Sequence, residues 1–360
     1  MPRSLPCLLS LLALTAPAAL AAPRKKGSKT LRWPVPNPAF DRPDFVPSSD
    51  RRQISGIFGP RLKWGSARYD HHEGFDFYAY FDPAHPRGDH DVFAVLPGVV
   101  SEVIAPSNPE RTETGNKVVI AHEVPWSAFG APAEWGKVIT GYLHLSRIAV
   151  RKGQTVRAGE VVGTAGATGY TSTVHLHFNA YRASGRLVNV NPARLFSPKR
   201  FPRAVARLDK RSLDVDWIER DRASGTALIR VLLPYNAYTL DGFAVVVGKD
   251  ASRAVSFEYV SANLRDRRDT GDRGLFPGLR LFPLRYNGGG AIDRVNARNQ
   301  PAGWPAARYP VPMGKGVRLG FDILATDLPP DAKRIKLVVF GVLGEKITLK
   351  APGWRHLRGA

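Results

Sequence analysis

The sequence predicts a mostly β protein, with an antiparallel β-sheet domain followed by a second β-rich domain for which a sandwich is one arrangement. Its apolar runs are short and rich in β-branched residues, and turn formers separate them, with 34 Gly and 30 Pro among 360 residues. Residues 92–103 and 138–145 are typical of such runs. In residues 150–163, short apolar pairs alternate with Gly turns, which predicts a tight hairpin.

The length favours two folded domains, because a domain typically takes about 150 residues. An early segment is rich in Pro and basic residues and lacks periodicity, which is typical of a linker. The predicted division is a signal peptide at 1–21, the basic linker at 22–50, a first β domain at 51–197, a connector at 198–214 and a β-rich accessory domain at 215–360.

The N-terminus has the three parts of a secretory signal. Arg3 supplies the positive charge, residues 8–20 form an apolar stretch, and residues 19–21 (Ala-Leu-Ala) have the small-x-small pattern of a cleavage site. An uncleaved anchor is less favoured, because the apolar stretch is too short to span a bilayer. Cys7, the single cysteine, lies within this signal. We therefore expect an exported chain, periplasmic or secreted, with no disulfide and no transmembrane segment after signal removal.

The charge predicts an anionic partner. The chain carries 52 Lys+Arg against 31 Asp+Glu, a formal net charge of +21. Strongly basic proteins usually bind anionic polymers, and export favours a cell-wall polymer over nucleic acid. We therefore expect peptidoglycan as the partner and no nucleic acid, and the oligomeric state is left open.

Five of the nine histidines fall in three short segments, residues 70–76, 141–145 and 173–178. His175 and His177 are two residues apart on a predicted strand, so both side chains project from one face about 6.5–7 Å apart. Tyr142 and His144 are likewise expected to share a strand face. The two imidazoles could share one metal, or one could bind the metal while its neighbour handles a bound water or substrate. A lone His-x-His on a strand is also compatible with surface or structural hydrogen bonding.

The first segment could bring a histidine and a carboxylate onto one centre. On a flat strand His72 would lie about 13 Å from Asp76, too far for one ion, but Gly74 permits a bend. Two imidazoles and one carboxylate form a donor set that suits zinc, with one position left for water. The other histidines are interpreted as structural or exposed and are His71, His85, His90, His122 and His356.

Several motifs occur in a fixed order between residues 55 and 181. They are Ser55-Gly-Ile-Phe-Gly-Pro-Arg61, His72-Glu-Gly-Phe-Asp76, Gly98-Val-Val100, Tyr142-Leu-His-Leu145, Gly153-Gln-Thr-Val-Arg-Ala-Gly159, Gly166-Ala-Thr-Gly169 and His175-Leu-His-Phe178. This order resembles the lysostaphin/LytM-type zinc endopeptidases that cleave peptidoglycan cross-links. The sequence departs from that pattern at Val174, where Pro is common, and at Asn179, where an acid often follows.

The resemblance implies one zinc ion per chain, held by His72, Asp76 and His177. It also implies that His144 and His175 orient and deprotonate the water or stabilise the oxyanion. Such a site would hydrolyse amide bonds in peptidoglycan peptides through a metal-activated water. Which bond is cut is not predicted.

Two longer loops, residues 80–91 and 123–137, are candidates for shaping a substrate groove. We expect Trp126 and Trp135 to line that groove, although local loop packing fits them equally well. Tyr142 is a third candidate contact to substrate.

Two other function classes stay open. One is a non-catalytic protein that binds the wall or activates another hydrolase, and such relatives typically lose metal ligands. The other is an exported protein that holds a metal without catalysis. The role of residues 205–360 is also open, between an anchor to the polymer and a lid over the site.

Overall fold

A computed structural model describes most of the chain beyond the predicted linker. The described residues are 31–36, 54–62, 69–78, 84–171, 173–184, 186–202, 205–234, 236–248, 250–263, 278–284, 318–332 and 334–351. The predicted signal peptide and most of the predicted linker lie outside them, and residues 31–36 of the linker are described. Among the described residues, no helix is both long and apolar enough to cross a membrane.

Three antiparallel sheets build the first half. The largest has eight strands in the order β1-β4-β12-β8-β7-β6-β10, with β13 paired to β12, and the smaller sheets are β5-β11-β9 and β2-β3. The strands are β1 (Ile54–Gly56), β2 (Gly59–Leu62), β3 (Tyr69–His72), β4 (Phe75–Tyr78), β5 (Asp91–Phe93), β6 (Gly98–Ile104), β7 (Asn116–Pro125), β8 (Lys137–Leu145), β9 (Arg147–Ile148), β10 (Thr155–Val156), β11 (Val161–Thr164), β12 (His175–Ser184) and β13 (Arg186–Val190).

The tight hairpin predicted for residues 150–163 is wrong. β10 pairs with β6 in the large sheet, whereas β11 pairs with β5 and β9 in a different sheet. Glu160 N–H donates to Arg157 O at 3.0 Å, so the chain does turn between the two strands. Strands of two and four residues gain more from extending existing sheets than from pairing with each other, since an isolated short hairpin is marginal.

The second half is also β-rich, which confirms the predicted class. Its strands are β14 (Asp214–Asp221), β15 (Thr226–Pro234), β16 (Leu240–Val247), β17 (Asp250–Ser256), β18 (Leu279–Leu284), β19 (Arg318–Ala325), β20 (Ile335–Gly341) and β21 (Lys346–Lys350), with helix α1 at Phe257–Asn263. They form two four-stranded sheets, β14-β15-β19-β18 and β17-β16-β20-β21. Phe243 of β16 and Phe321 of β19 have ring centroids 5.3 Å apart, so the inner faces of the two sheets meet.

A buried ion pair fixes the register of the first of these sheets. Arg230 of β15 donates from Nε to Asp322 Oδ1 at 2.7 Å and from an Nη to Oδ2 at 2.8 Å, and neither side chain is more than 2% exposed. The two residues face each other in the β15–β19 ladder. A slip of one residue would leave both charges buried without partners, which is strongly destabilising.

Helix α1 joins the second half to the first. Phe257 is fully buried, and a Cβ added to Gly59 of β2 would lie 2.5 Å from its ring. Glu258 accepts hydrogen bonds from Arg194 Nε at 2.8 Å and from Asn191 N–H at 3.0 Å. Buried residues from both halves thus form one continuous core. The domain boundaries given above stay predictions.

Candidate metal centre

Three strands bring His72, Asp76 and His177 to one point. His72 ends β3, Asp76 is the second residue of β4, and His177 lies opposite Asp76 in the β4–β12 pairing. Asp76 Oδ1 lies 3.0 Å from His72 Nε2 and 2.8 Å from His177 Nδ1, and those two nitrogens are 3.1 Å apart. In the described part of the chain, these three residues form a group that could share one metal ion.

Gly74 makes room for this cluster. It lies in the turn between β3 and β4, and a Cβ there would stand 2.5 Å from Phe178 O and 2.8 Å from His177 Nε2. The turn carries His72 and Asp76 to contact distance, as the bend expected from the sequence requires. Gly74 is needed for this close approach, because larger residues would push β12 away.

The protonation states of the three side chains suit a divalent metal. Since a carbonyl only accepts, His72 donates its Nδ1–H to Ile57 O at 2.8 Å, which leaves the lone pair of Nε2 toward the cluster. Burial lowers the pKa of His72 and lowers the pKa of His177 to about 4. Burial would raise the pKa of Asp76, but its proximity to His72 and Arg61 outweighs that effect and holds the pKa well below its usual range. Two neutral imidazoles and one carboxylate are therefore present at neutral pH, and this donor set fits zinc.

His175 lies beside the cluster. Its Nδ1–H donates to Thr173 O at 2.8 Å, and its Nε2 lies 3.5 Å from Asp76 Oδ1. Burial lowers the pKa of His175, but the hydrogen bond and charge of Asp76 outweigh it, so the pKa is raised.

His144 completes a group of four imidazoles. Its ring centroid lies 5.0 Å from that of His175 and 5.7 Å from that of His177. The Nδ1–H donates to Thr168 O at 2.7 Å, so Nε2 carries the free lone pair. Burial, together with the two neighbouring imidazoles, lowers the pKa of His144 to about 3. The pKa values of His144 and His175 are thus shifted in opposite directions.

Tyr142 is not part of this site, and the expectation that it shares a strand face with His144 is wrong. Its ring is fully buried, with its centroid 5.4 Å from that of Phe178 on the core side of the sheet. Its hydroxyl accepts a hydrogen bond from Val95 N–H at 3.0 Å, and burial raises its pKa to about 12. The alternation fails because His144 has a φ of +63°, which turns its side chain to the opposite face.

The two tryptophans expected in a groove form local packing. Trp126 is fully buried, and its indole N–H donates to Tyr181 O at 2.8 Å, so it cannot contact a polymer. Trp135 is half-buried against Trp126, with ring centroids 6.0 Å apart, and the guanidinium groups of Arg182 and Arg194 lie over its ring. The groove expectation for Trp126 is therefore wrong.

The remaining histidines stand apart from the cluster. His71 is buried, with its ring 5.6 Å from that of Phe58. His85 and His90 have ring centroids 4.1 Å apart. His122 is fully buried and bonds through Nε2 to Thr140 Oγ1 at 2.8 Å. His356 lies outside the described residues.

The first half of the chain matches a known family. The sequence profile of peptidase family M23 matches residues 70–192. This segment contains Asp76 and the four imidazoles of the site, which belong to His72, His144, His175 and His177. The chain contains a peptidase family M23 domain. The curated relatives agree with the lysostaphin/LytM-type resemblance, because lysostaphin itself is 34% identical over 76 residues.

Other relatives of the M23 domain are named for their activities. The peptidoglycan DD-endopeptidase ShyA of Vibrio cholerae is 35% identical over 158 residues, 44% of this chain and 30% of ShyA. The glycyl-glycine endopeptidase ALE-1 of Staphylococcus capitis is 37% identical over 76 residues, 19% of this chain and 20% of ALE-1. A zinc-containing peptidase from Vibrio cholerae, known from its crystal structure, is 29% identical, with a TM-score of 0.31 over 45% of this chain and 39% of that one. The chain thus spans a fifth to a third of the length of these curated relatives.

Sequence reasoning did not assign a role to four residues that contact the M23 site. Ile57 and Thr168 offer backbone carbonyls to His72 and His144. Arg61 donates to Asp76 Oδ2 at 2.7 Å, and a Cβ at Gly56 would lie 2.3 Å from the same oxygen. All four lie in motifs that the family resemblance includes, at 55–61 and 166–169. Their place in these motifs was the sequence signal that could have indicated a role in the site.

Proposed function

We propose that the chain is an exported zinc endopeptidase that hydrolyses amide bonds in the peptides of peptidoglycan. The observation that carries this proposal is the convergence of His72, Asp76 and His177, with one ligand atom from each within 4.8 Å of the others. Two further imidazoles lie beside them, which a site for metal storage alone would not need.

The proposed ligands are His72 Nε2, Asp76 Oδ1 and His177 Nδ1. When bound there, zinc would acidify a coordinated water and polarise the carbonyl of the scissile amide. The side chains around it would handle the proton. His144, with its Nδ1–H committed to Thr168 O, has only Nε2 free, and that nitrogen can accept a proton and later pass it to the leaving amine.

His175 is the proposed hydrogen-bond donor of the site. Its position 3.5 Å from Asp76 Oδ1 favours its protonated form, so it can donate a hydrogen bond to the oxyanion that develops on the carbonyl oxygen.

The substrate class follows from charge and from the relatives. A net charge of +21 suits the anionic bacterial envelope. One relative is named for a glycyl-glycine bond and another for a DD bond, so the proposal is an amide in the wall peptide and goes no further. Export by the signal predicted at 1–21, to the periplasm or the medium, would bring the chain to that substrate.

The test is digestion of purified peptidoglycan by the protein after chelator treatment and again after zinc is restored. We expect soluble products with one new amine end per cut, lost with the chelator and restored by one zinc per chain. Mass analysis of the products would name the bond. Folded, zinc-loaded protein that releases nothing would contradict the proposal and favour the wall-binding class.

A further inference from the structure

The two oxygens of the Asp76 carboxylate face different partners. Oδ1 faces the imidazoles, at 2.8 Å from His177 Nδ1 and 3.0 Å from His72 Nε2. Oδ2 accepts a hydrogen bond from Arg61 Nη1 at 2.7 Å. One oxygen is therefore directed to the proposed metal position, and the other is occupied by a cation of the protein.

Arg61 is itself held in place from the other side. Its Nε donates to Asp70 Oδ2 at 3.0 Å, and the two residues are directly paired in the β2–β3 ladder. The Asp70 side chain is 9% exposed and that of Arg61 is 30% exposed. Because β3 also carries His72 two residues further on, the arginine connects the strand of one proposed ligand to the carboxylate of another.

The backbone leaves a space for this contact. Gly56 of β1 lies opposite Asp76 in the β1–β4 pairing, and a Cβ there would stand 2.3 Å from Asp76 Oδ2 and 2.8 Å from Arg61 Nη1. Any larger residue would have to displace the carboxylate or the guanidinium. The segment that supplies Gly56 and Arg61 precedes residues 70–192, which the family profile matches.

We propose that Arg61 is a positioning residue that reserves Asp76 Oδ2, so that Asp76 offers a single oxygen to the metal. This inference rests on the proposed function, because it concerns the same site. A planar guanidinium binds Asp70 through Nε and Asp76 through Nη1 in a fixed geometry, whereas an ammonium has only one nitrogen to place between the two carboxylates. With Oδ2 reserved, the metal keeps one coordination position open for water and substrate.

Loss of Arg61 should therefore change both affinity and coordination. Partners that orient a metal ligand typically contribute about 10- to 100-fold to metal affinity. In Arg61→Gln, Asp76 is freed to rotate and to bind the metal through both oxygens. We expect zinc affinity to fall about 10- to 100-fold, with a smaller loss in Arg61→Lys, which keeps a charge near Oδ2.

The experiment is competition for zinc against a chelator of known affinity, for wild type, Arg61→Gln and Arg61→Lys. Asp70→Asn, which loosens Arg61 without touching Asp76, should give a smaller loss. The control is Arg147→Gln, because Arg147 forms an exposed ion pair with Asp91 at 3.7 Å, and its loss should leave zinc affinity unchanged. Circular dichroism of each metal-free variant reports folding.

A second readout separates positioning from general stability. With cobalt in place of zinc, the visible absorption reports the coordination number, and we expect a higher coordination number in Arg61→Gln. Equal zinc affinity and equal cobalt spectra in folded Arg61→Gln and wild type would overturn the inference. Zinc bound by wild type without wall cleavage would contradict the proposed function and leave these affinities as the test of Arg61. A wild type that binds no zinc would overturn both.

Discussion

Tyr142 and His144 stand two residues apart on β8, yet their side chains lie on opposite faces of the sheet. The Tyr142 ring packs on Phe178 in the core, and the His144 ring packs on His175 at the site. The φ of +63° at His144 makes this possible. A non-glycine residue held there costs on the order of 1–3 kcal/mol, so the surrounding contacts have to stabilise it.

Replacing His144 should separate catalysis from metal binding. His144→Asn keeps a residue type that tolerates a positive φ, so we expect folding and zinc content close to wild type. Because the proton acceptor is lost, turnover should fall by about 10²–10⁴-fold. Peptide release from peptidoglycan and zinc content, measured on one preparation, check this. Turnover within a few-fold of wild type would exclude His144 as the base.

Tyr170 is a more suitable contact to substrate than the buried Trp126. Its side chain is 84% exposed, and its N–H donates to Glu113 O at 3.2 Å. It also lies two residues after Thr168, whose carbonyl holds His144. We expect Tyr170→Ala to raise KM several-fold with unchanged zinc content, because an aromatic platform would be lost.

The matched control for that prediction is Tyr259→Ala. Tyr259 is also exposed, at 57%, but lies on α1 in the second half. It should leave KM unchanged. Equal KM values in the two variants would remove Tyr170 from the substrate site.

Buried His122 should make stability depend on pH. Burial lowers its pKa from 6.5 to about 4. Between these values the unfolded chain takes up a proton that the folded chain does not, so the free energy of unfolding falls as pH drops from 6.5 to 4. The loss in the free energy of unfolding is complete below pH 4 and amounts to about 3 kcal/mol.

Chemical denaturation of wild type and His122→Gln across this range tests that slope. The site histidines are common to both proteins, so the difference between the two curves isolates His122. We expect the variant to show the shallower decline. Parallel curves would mean that His122 titrates normally in the folded state.

The two halves should unfold together, because α1 packs behind β2. Phe257 is fully buried there, and replacing a buried Phe with Ala typically costs about 3–5 kcal/mol. We expect Phe257→Ala to lower the free energy of unfolding by that amount and to remain a single transition. Denaturant melts followed by tryptophan fluorescence and circular dichroism check this. Two separate transitions in wild type would instead support a loosely attached second half.

Strand geometry and one glycine turn were enough to bring His72 to Asp76, because both are local properties. His177 was grouped with them only through the family resemblance, since it lies 101 positions after Asp76. The position of His144 was not predictable in the same way, since the alternation rule assumes a regular strand. Nor could the sequence distinguish a groove tryptophan from a core tryptophan at Trp126. Both environments favour an aromatic residue in a loop.

The other contacts that the sequence did not predict depend on strand pairing between distant segments. The contact of Arg61 with Asp76 depends on how β2 pairs with β3 and β1 with β4, and neither register can be inferred from residues 55–61 alone. Packing of α1 on β2 joins residues almost 200 positions apart. The mostly β class was predictable because short, branched apolar runs are a local signal.

The proposed function requires a metal held by His72, Asp76 and His177 for cleavage of the wall. The most direct measurement compares wild type with His177→Ala on purified peptidoglycan, with bound zinc quantified in both and His85→Ala as the control histidine. We predict about one zinc per chain and soluble peptides from wild type and His85→Ala, and neither from folded His177→Ala. Undiminished cleavage by zinc-free His177→Ala would show that cleavage does not need this metal.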